Sequence, residues 1–300
     1  MPVFVPCAGC GISGSAVFGE FALFREDSGG SLTLTRWTYA TEVKSADTAT
    51  LTGTPASAFR SNNHAFFWDG GTLNKITLAT SAVAAATGWQ FVSSSAGGFS
   101  AGFYNSLCGG VSSGSGSNLN ETGYYDYATD FAGRANSSGL IGTVRGAGSF
   151  PNHVIVAGGF DAGNDGSILA DYYDTRTGVR IIANTLTTKR GSMYNAITDF
   201  KRAAFIGGTP SSFPAGTAVA DAGSEIFTES TLTWSAGPGI GAQLFHAITC
   251  SGQNYGVAMG GASGQNLPVV YDTIRKFNFQ NFTIAAATVS TTNGAGRVGV

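Results

Sequence analysis

The chain has 300 residues, of which 43% are hydrophobic and only 11% charged, with a net charge of −2 at pH 7. Its 21 Phe, 10 Tyr and 4 Trp need burial, which excludes a disordered chain, and the balanced charge gives no reason to expect nucleic acid or an anionic membrane as partner. The 44 glycines punctuate many short apolar runs, which predicts an all-β fold.

At the N-terminus, Met1 to Cys10 shows neither the basic nor the apolar region of a secretory signal. No apolar run reaches the roughly 18 residues of a membrane-spanning helix. Synthesis in a cytosol, without membrane insertion, is therefore expected. Residues 1–14 read as a short segment ahead of the first repeat unit. Within it Cys7 and Cys10 form a C-x-x-C, but no further ligands follow at zinc spacing. The pair reads as incidental or assembly-related thiols. Cys108 and Cys250 fall in predicted strands, as buried small hydrophobes.

Glycine pairs recur at 29-30, 70-71, 109-110, 158-159, 207-208 and 260-261. A period of about 40–50 residues holding several short strands points to a propeller or a related β array. The first two units keep only hairpins, Phe18 to Phe24 with Ser31 to Tyr39, and His64 to Trp68 with Thr72 to Leu78. In the later units a strand precedes the glycines: Phe103-Tyr104, Val154 to Val156, Ala203 to Ile206 and Gly256 to Met259. A second strand follows a loop: Tyr125-Asp126, Tyr173-Asp174, Ile226-Phe227 and Tyr271-Asp272. Thr129, Thr177 and Thr231 lie four residues beyond the aromatic, Arg275 departs from that rule, and Trp234 follows Phe227 by seven. Val154–Ala157 should pair with Leu169–Tyr173, and Ala203–Ile206 with Ser224–Phe227. The glycine pairs should supply positive φ and close backbone approach. The Asp or Thr after each aromatic should bond local backbone at a turn. Thr291 to Val300 looks like the opening of another unit. Arg297–Val300 should share a sheet with a strand from residues 15–40, closing the ring and removing open edges.

These residues resemble the kelch repeat of β-propellers. That unit has a strand ending in Gly-Gly, a loop, Tyr-Asp, then Thr and Trp at the spacing above. The resemblance covers residues 97–300 closely and 15–96 through the hairpins alone. It implies one domain, 1–300, with six kelch-like blades and one blade built from both chain ends. Seven blades are the alternative, if residues 1–14 supply strands. The resemblance also implies a ring of arginines at the channel mouth, for which Arg60, Arg145, Arg190 and Arg297 are the candidates. Guanidinium forks suit carboxylates. The alternative is that each arginine caps local carbonyls or pairs with an acid.

His64, His153 and His246 all precede a strand that ends in Gly-Gly and read as repeat positions. Asp161 to Gly166 half-resembles a calcium loop, with Gly163 at a ligand position and no closing Glu. No nucleophile elbow, phosphate loop or zinc-protease motif occurs. No catalytic residue, metal or cofactor is expected. The loops after the glycine pairs carry Asn118, Asn164, Asp165, Gln265 and Asn266, which suit wet polar contacts. Low charge and abundant Gly, Ser, Thr and Asn are similar to phage structural proteins. The reading is a non-enzymatic structural or binding propeller. It would serve as a virion tail or surface component, with other structural subunits or a cell-surface glycan as partner. The alternative is a carbohydrate-active enzyme or lectin, in the cytoplasm or at a cell surface.

Overall fold

The computed structural model describes residues 20–25, 33–53, 57–69, 71–86, 101–113, 121–136, 145–160, 165–177, 179–182, 184–191, 193, 196–210, 223–241, 248–252, 254–260 and 273–290. All regular structure among them is strand, in six antiparallel sheets. The first holds β1 (Phe21–Phe24), β2 (Thr33–Thr38) and β3 (Val43–Thr50). The second runs β4 (Ser57–Arg60), β5 (His64–Trp68), β6 (Leu73–Thr77) and β7 (Ala82–Ala85). The third runs β8 (Ala101–Tyr104), β9 (Cys108–Ser113), β10 (Glu121–Asp126) and β11 (Phe131–Asn136). The fourth runs β12 (Gly146–Ser149), β13 (His153–Ala157), β14 (Ala170–Asp174) and β15 (Arg180–Ile182). The fifth runs β16 (Ile197–Thr198), β17 (Arg202–Ile206), β18 (Ser224–Thr228) and β19 (Thr233–Ala236). The sixth runs β20 (Ile248–Ser251), β21 (Gly256–Met259), β22 (Thr273–Asn278) and β23 (Thr283–Ser290).

Each sheet is a local meander, and burial falls from its first strand outward. β4 and β12 are buried at every residue, whereas β7 and β19 are largely exposed. The first strands of the second to sixth sheets touch in turn, β4 to β8, β8 to β12, β12 to β16 and β16 to β20, and β20 also touches β1. They therefore line a common axis. One apolar cluster fills each join between neighbouring sheets. Phe59, Phe66 and Tyr125 join the second and third, and Phe103, Ala147 and Val156 the third and fourth. Phe150, Ile155, Phe205 and Phe227 join the fourth and fifth; Ile197, Ile226, Ala258 and Phe277 join the fifth and sixth. Phe24, Trp37, Val257 and Met259 join the sixth to the first, and Leu23, Leu51, Ala58 and Phe67 the first to the second. Six joins between six sheets close a ring, and the architecture is a six-bladed β-propeller.

The expected pairings hold. Val154 faces Tyr173 and Ala157 faces Ala170; Ala203 faces Phe227 and Ile206 faces Ser224. Gly158, Gly159, Gly207, Gly208 and Gly260 have positive φ, as a strand-ending pair should. Asp126 and Asp174 each accept backbone N–H bonds two and three residues on, the latter including Thr129 and Thr177.

Three placements differ from expectation. Gly109 and Gly110 begin β9 instead of ending a strand, and pair with Tyr125 and Tyr124. A Cβ on Gly109 would sit 2.3 Å from the Phe59 ring, so close approach explains that glycine. Phe103 and Tyr104 accordingly lie in the axial strand β8. Finally, positive φ is not confined to glycine. Glu42, Ser81, Asp130, Leu232 and Phe282, each just before an outer strand, have φ of 54–55°. The closing contact of Arg297–Val300, and residues 1–14, lie outside the described residues.

Candidate functional site

Arg145 immediately precedes β12, and Arg190 stands in the link leading into β16, as the repeat frame predicts. Arg190 is buried. Its Nε meets Glu225 Oε1 at 3.0 Å, and one terminal nitrogen donates to the carbonyls of Gly207 at 2.6 Å and Gly223 at 3.3 Å. Glu225 also accepts from the backbone and hydroxyl groups of Thr187 and Thr188. Burial pushes the Glu225 pKa up, but bonds from Thr188, Thr187 and Arg190 outweigh it and hold the carboxyl below its usual range. The group therefore pins the link that enters the fifth sheet.

Asp171 is the second residue of β14, as Glu225 is of β18, and stands three residues ahead of Asp174. It binds Arg180 at 2.5 Å and the Tyr173 hydroxyl at 3.0 Å. Arg145 is 1% exposed. Burial lowers its pKa to about 10, while Tyr173 and Asp171 work to raise it. Arg60 ends β4 instead of preceding it, so it lies at the opposite end of the axis from Arg145 and Arg190. The first two units keep only hairpins, which do not fix where the first strand begins. Asp165 is exposed. Arg297, Asn118, Asn164, Gln265 and Asn266 fall outside the described residues, as do Cys7, Cys10 and His246. Cys108 and Cys250 are buried in β9 and β20, as expected.

A cleft of about 520 Å³ opens between the fourth and fifth sheets, beside the turns that join first to second strands. His153, the first residue of β13, stacks on the Tyr172 ring of β14 at 4.7 Å. Glu229 follows β18, and its backbone N–H is fixed on the Lys201 carbonyl at 3.0 Å. Its Oε1 receives both the Tyr172 hydroxyl and His153 Nδ1 at 2.9 Å. Burial and then the Glu229 charge raise the Tyr172 pKa far above its ordinary value, so the phenol remains a donor. With Nδ1 engaged by the Glu229 carboxyl, Nε2 is left for a further partner.

Lys201 and Arg202 line the same cleft. Asp199 takes both N–H bonds of the turn and grips the Arg202 guanidinium at 2.6 and 3.0 Å. Arg202 also lies over the Phe282 ring at 4.8 Å. Among the described residues the Lys201 ammonium has no partner. The cleft thus combines the Lys201 cation, the His153 ring, the Glu229 carboxyl and the hydroxyls of Thr228 and Ser230.

No family model and no curated protein matches this sequence. The solved structure of YjhT does resemble it. The TM-score is 0.70 at 8% identity, over 92% of this chain and 97% of that chain. At that identity the likeness shows the propeller fold alone.

Sequence reading placed His153 at a repeat position and did not connect it with Glu229, which lies 76 residues away. A signal for the pair exists in the frame. One residue opens the second strand of a unit and the other follows the third strand of the next unit, and both positions face the same end of the ring. Among the described residues no group of His, Cys, Asp and Glu could hold a metal ion.

Proposed function

We propose that this chain is a non-enzymatic binding propeller of kelch type whose cleft between the fourth and fifth sheets takes a polar ligand. The observation that carries the reading is the Tyr172–Glu229–His153 unit beside Lys201. Donors and acceptors are fixed in place there on rigid strands, which suits hydroxyl-rich ligands. A glycan hydroxyl pair fits this set better than an apolar group. The low charge of the chain supports its place as a virion tail or surface component, which would meet other structural subunits or a cell-surface glycan. Asn118, Asn164, Asp165, Gln265, Asn266 and Arg297 are proposed as a second contact region.

The test is a glycan array and a particle-assembly assay with Glu229→Gln and Lys201→Ala, each beside a melting curve. Loss of binding at unchanged melting temperature is expected. Retained binding in both variants would move recognition to that second region. The His153–Glu229 pair also has the form of an oriented general base, which favours a carbohydrate-active enzyme as the second reading. Turnover of an array hit that disappears in His153→Ala would establish it.

A further inference from the structure

At the other end of the axis from Arg190, the first strands finish in Arg60, Tyr104, Ser149, Thr198 and Ser251. Small hydroxyl residues stitch three of these joins. Ser149 Oγ accepts from the Tyr104 backbone N–H at 2.8 Å, Thr198 Oγ1 donates to the Ser149 carbonyl at 2.7 Å, and Ser251 Oγ accepts from the Thr198 N–H at 2.9 Å. Arg60 and Tyr104 are the large polar side chains of the set.

Tyr39 reaches the same place from the first sheet. Its backbone N–H binds the Glu20 carbonyl, and Arg60 donates to the next carbonyl, Phe21, at 3.2 Å. The Tyr39 ring lies edge-on to Tyr255 at 5.4 Å and covers Gly252, where a Cβ would come within 2.7 Å of it. Arg60 and Tyr104 end the neighbouring strands β4 and β8, and the Arg60 bond to Phe21 brings it beside the Glu20 carbonyl that holds Tyr39. Burial raises the pKa of both Tyr39 and Tyr104, and the Arg60 charge opposes the rise at each.

This environment has a surplus of donors. Arg60 is 4% exposed, and among the described residues its partners are two carbonyls, Phe21 at 3.2 Å and Ser61 at 3.5 Å, with no carboxylate. The hydroxyls of Tyr39 and Tyr104 are buried and have no hydrogen-bond partner. Ser251 is near enough to Tyr104 to affect its ionisation without reaching bonding geometry. A guanidinium carries five N–H donors and no acceptor. A buried charge without a counter-charge is strongly unfavourable, and buried hydroxyls without partners are rare. A water would relieve the hydroxyls but leave the charge. An anion with two or more oxygens relieves both.

We propose that this end of the axis binds a small oxyanion, of carboxylate, sulfate or phosphate size, held by the Arg60 guanidinium and the Tyr39 and Tyr104 hydroxyls. It is a site separate from the cleft, and it does not depend on the cleft's function.

The test uses the full chain, dialysed into chloride buffer and titrated with acetate, sulfate and phosphate at constant ionic strength. Melting temperature and calorimetric binding are read together. At least one oxyanion should raise the melting temperature saturably. Tyr39→Phe and Tyr104→Phe should each weaken that binding about 10-fold, as expected for one lost bond to a charged group, and Arg60→Met should abolish it. In chloride alone Tyr104→Phe should melt no lower than the parent, because it removes a buried hydroxyl without an acceptor. Should Arg60→Met fail to fold, the two phenylalanine variants decide. No saturable shift with any of the three anions, as for a site holding water alone, overturns the proposal. An undiminished shift in both phenylalanine variants also overturns it.

Discussion

Arg190 and Arg60 are both buried arginines at the axis, one at each end of the first strands, and their surroundings are opposite in kind. Arg190 meets a carboxylate that itself accepts four further bonds from Thr187 and Thr188. Arg60 meets two carbonyls, Ser61 and Phe21, and its charge is felt by the buried phenols of Tyr39 and Tyr104. Burial alone therefore does not tell a scaffold arginine from a ligand-binding one. The balance of donors and acceptors around it does. Where the balance closes within the chain, the arginine fixes a link between sheets; where donors are in excess, an acceptor from outside can complete it.

The largest break in this contrast should come from Glu225→Ala. It leaves Arg190 buried without its counter-charge, and a loss of about 3–5 kcal/mol is expected in denaturant unfolding. Replacing Arg190 and Glu225 together by methionine should cost less than Glu225→Ala alone. Gly158→Ala comes next. Its φ is +68°, and a Cβ would lie 2.4 Å from the Arg190 carbonyl oxygen, so about 2 kcal/mol should be lost.

The two ends should also fail at opposite extremes of pH. The folded Glu225 pKa is lowered, so its stabilisation is present above the unfolded value, about 4.3. It disappears as pH falls through the lower folded value. Glu225→Gln should flatten that acid limb of the melting profile. Tyr39 and Tyr104 have raised values. Their unfolded phenols ionise near pH 10, before the folded ones do, so stability should fall as pH rises past about 10. Tyr104→Phe should reduce that alkaline limb. The smallest effect is expected for Tyr127→Phe, which loses one bond to the Arg60 carbonyl, at 2.5 Å. About 1 kcal/mol is the usual size of such a loss.

The blade frame was legible from sequence wherever an apolar run, a glycine pair and an Asx turn occur in that order, as in Val154 to Thr177. Gly109 and Gly110 misled because glycine serves two needs. It permits positive φ, and it lets a ring such as Phe59 approach, and spacing does not separate the two. Arg60 falls at the other end from expectation because β4 is four residues long, so the start and finish of the strand are nearly interchangeable in a unit legible only as a hairpin. The cleft was not legible because it depends on packing between units. Asp171 and Glu225 could have been found. Each is an acid inside an apolar strand, at one position of the frame, with an arginine before the first strand of its own unit.

Five of the six joins link neighbouring sheets in chain order. The sixth is different: Tyr255 bonds the Tyr39 carbonyl across 216 residues, and Lys276 meets Glu42 across 234. Local meanders form with short loop closures, whereas this join requires the whole ring to come round. The seam between the first and sixth sheets should therefore form last in folding. Until it does, the faces carrying Trp37 on one side and Val257 and Met259 on the other stay uncovered. Two half-closed chains could then satisfy each other's faces, head to tail, before either satisfies its own. Refolding yield should fall with rising protein concentration, and Trp37→Ala, which weakens the seam, should steepen that fall. In this fold the geometry of the ring sets a race between closing on itself and joining a neighbour.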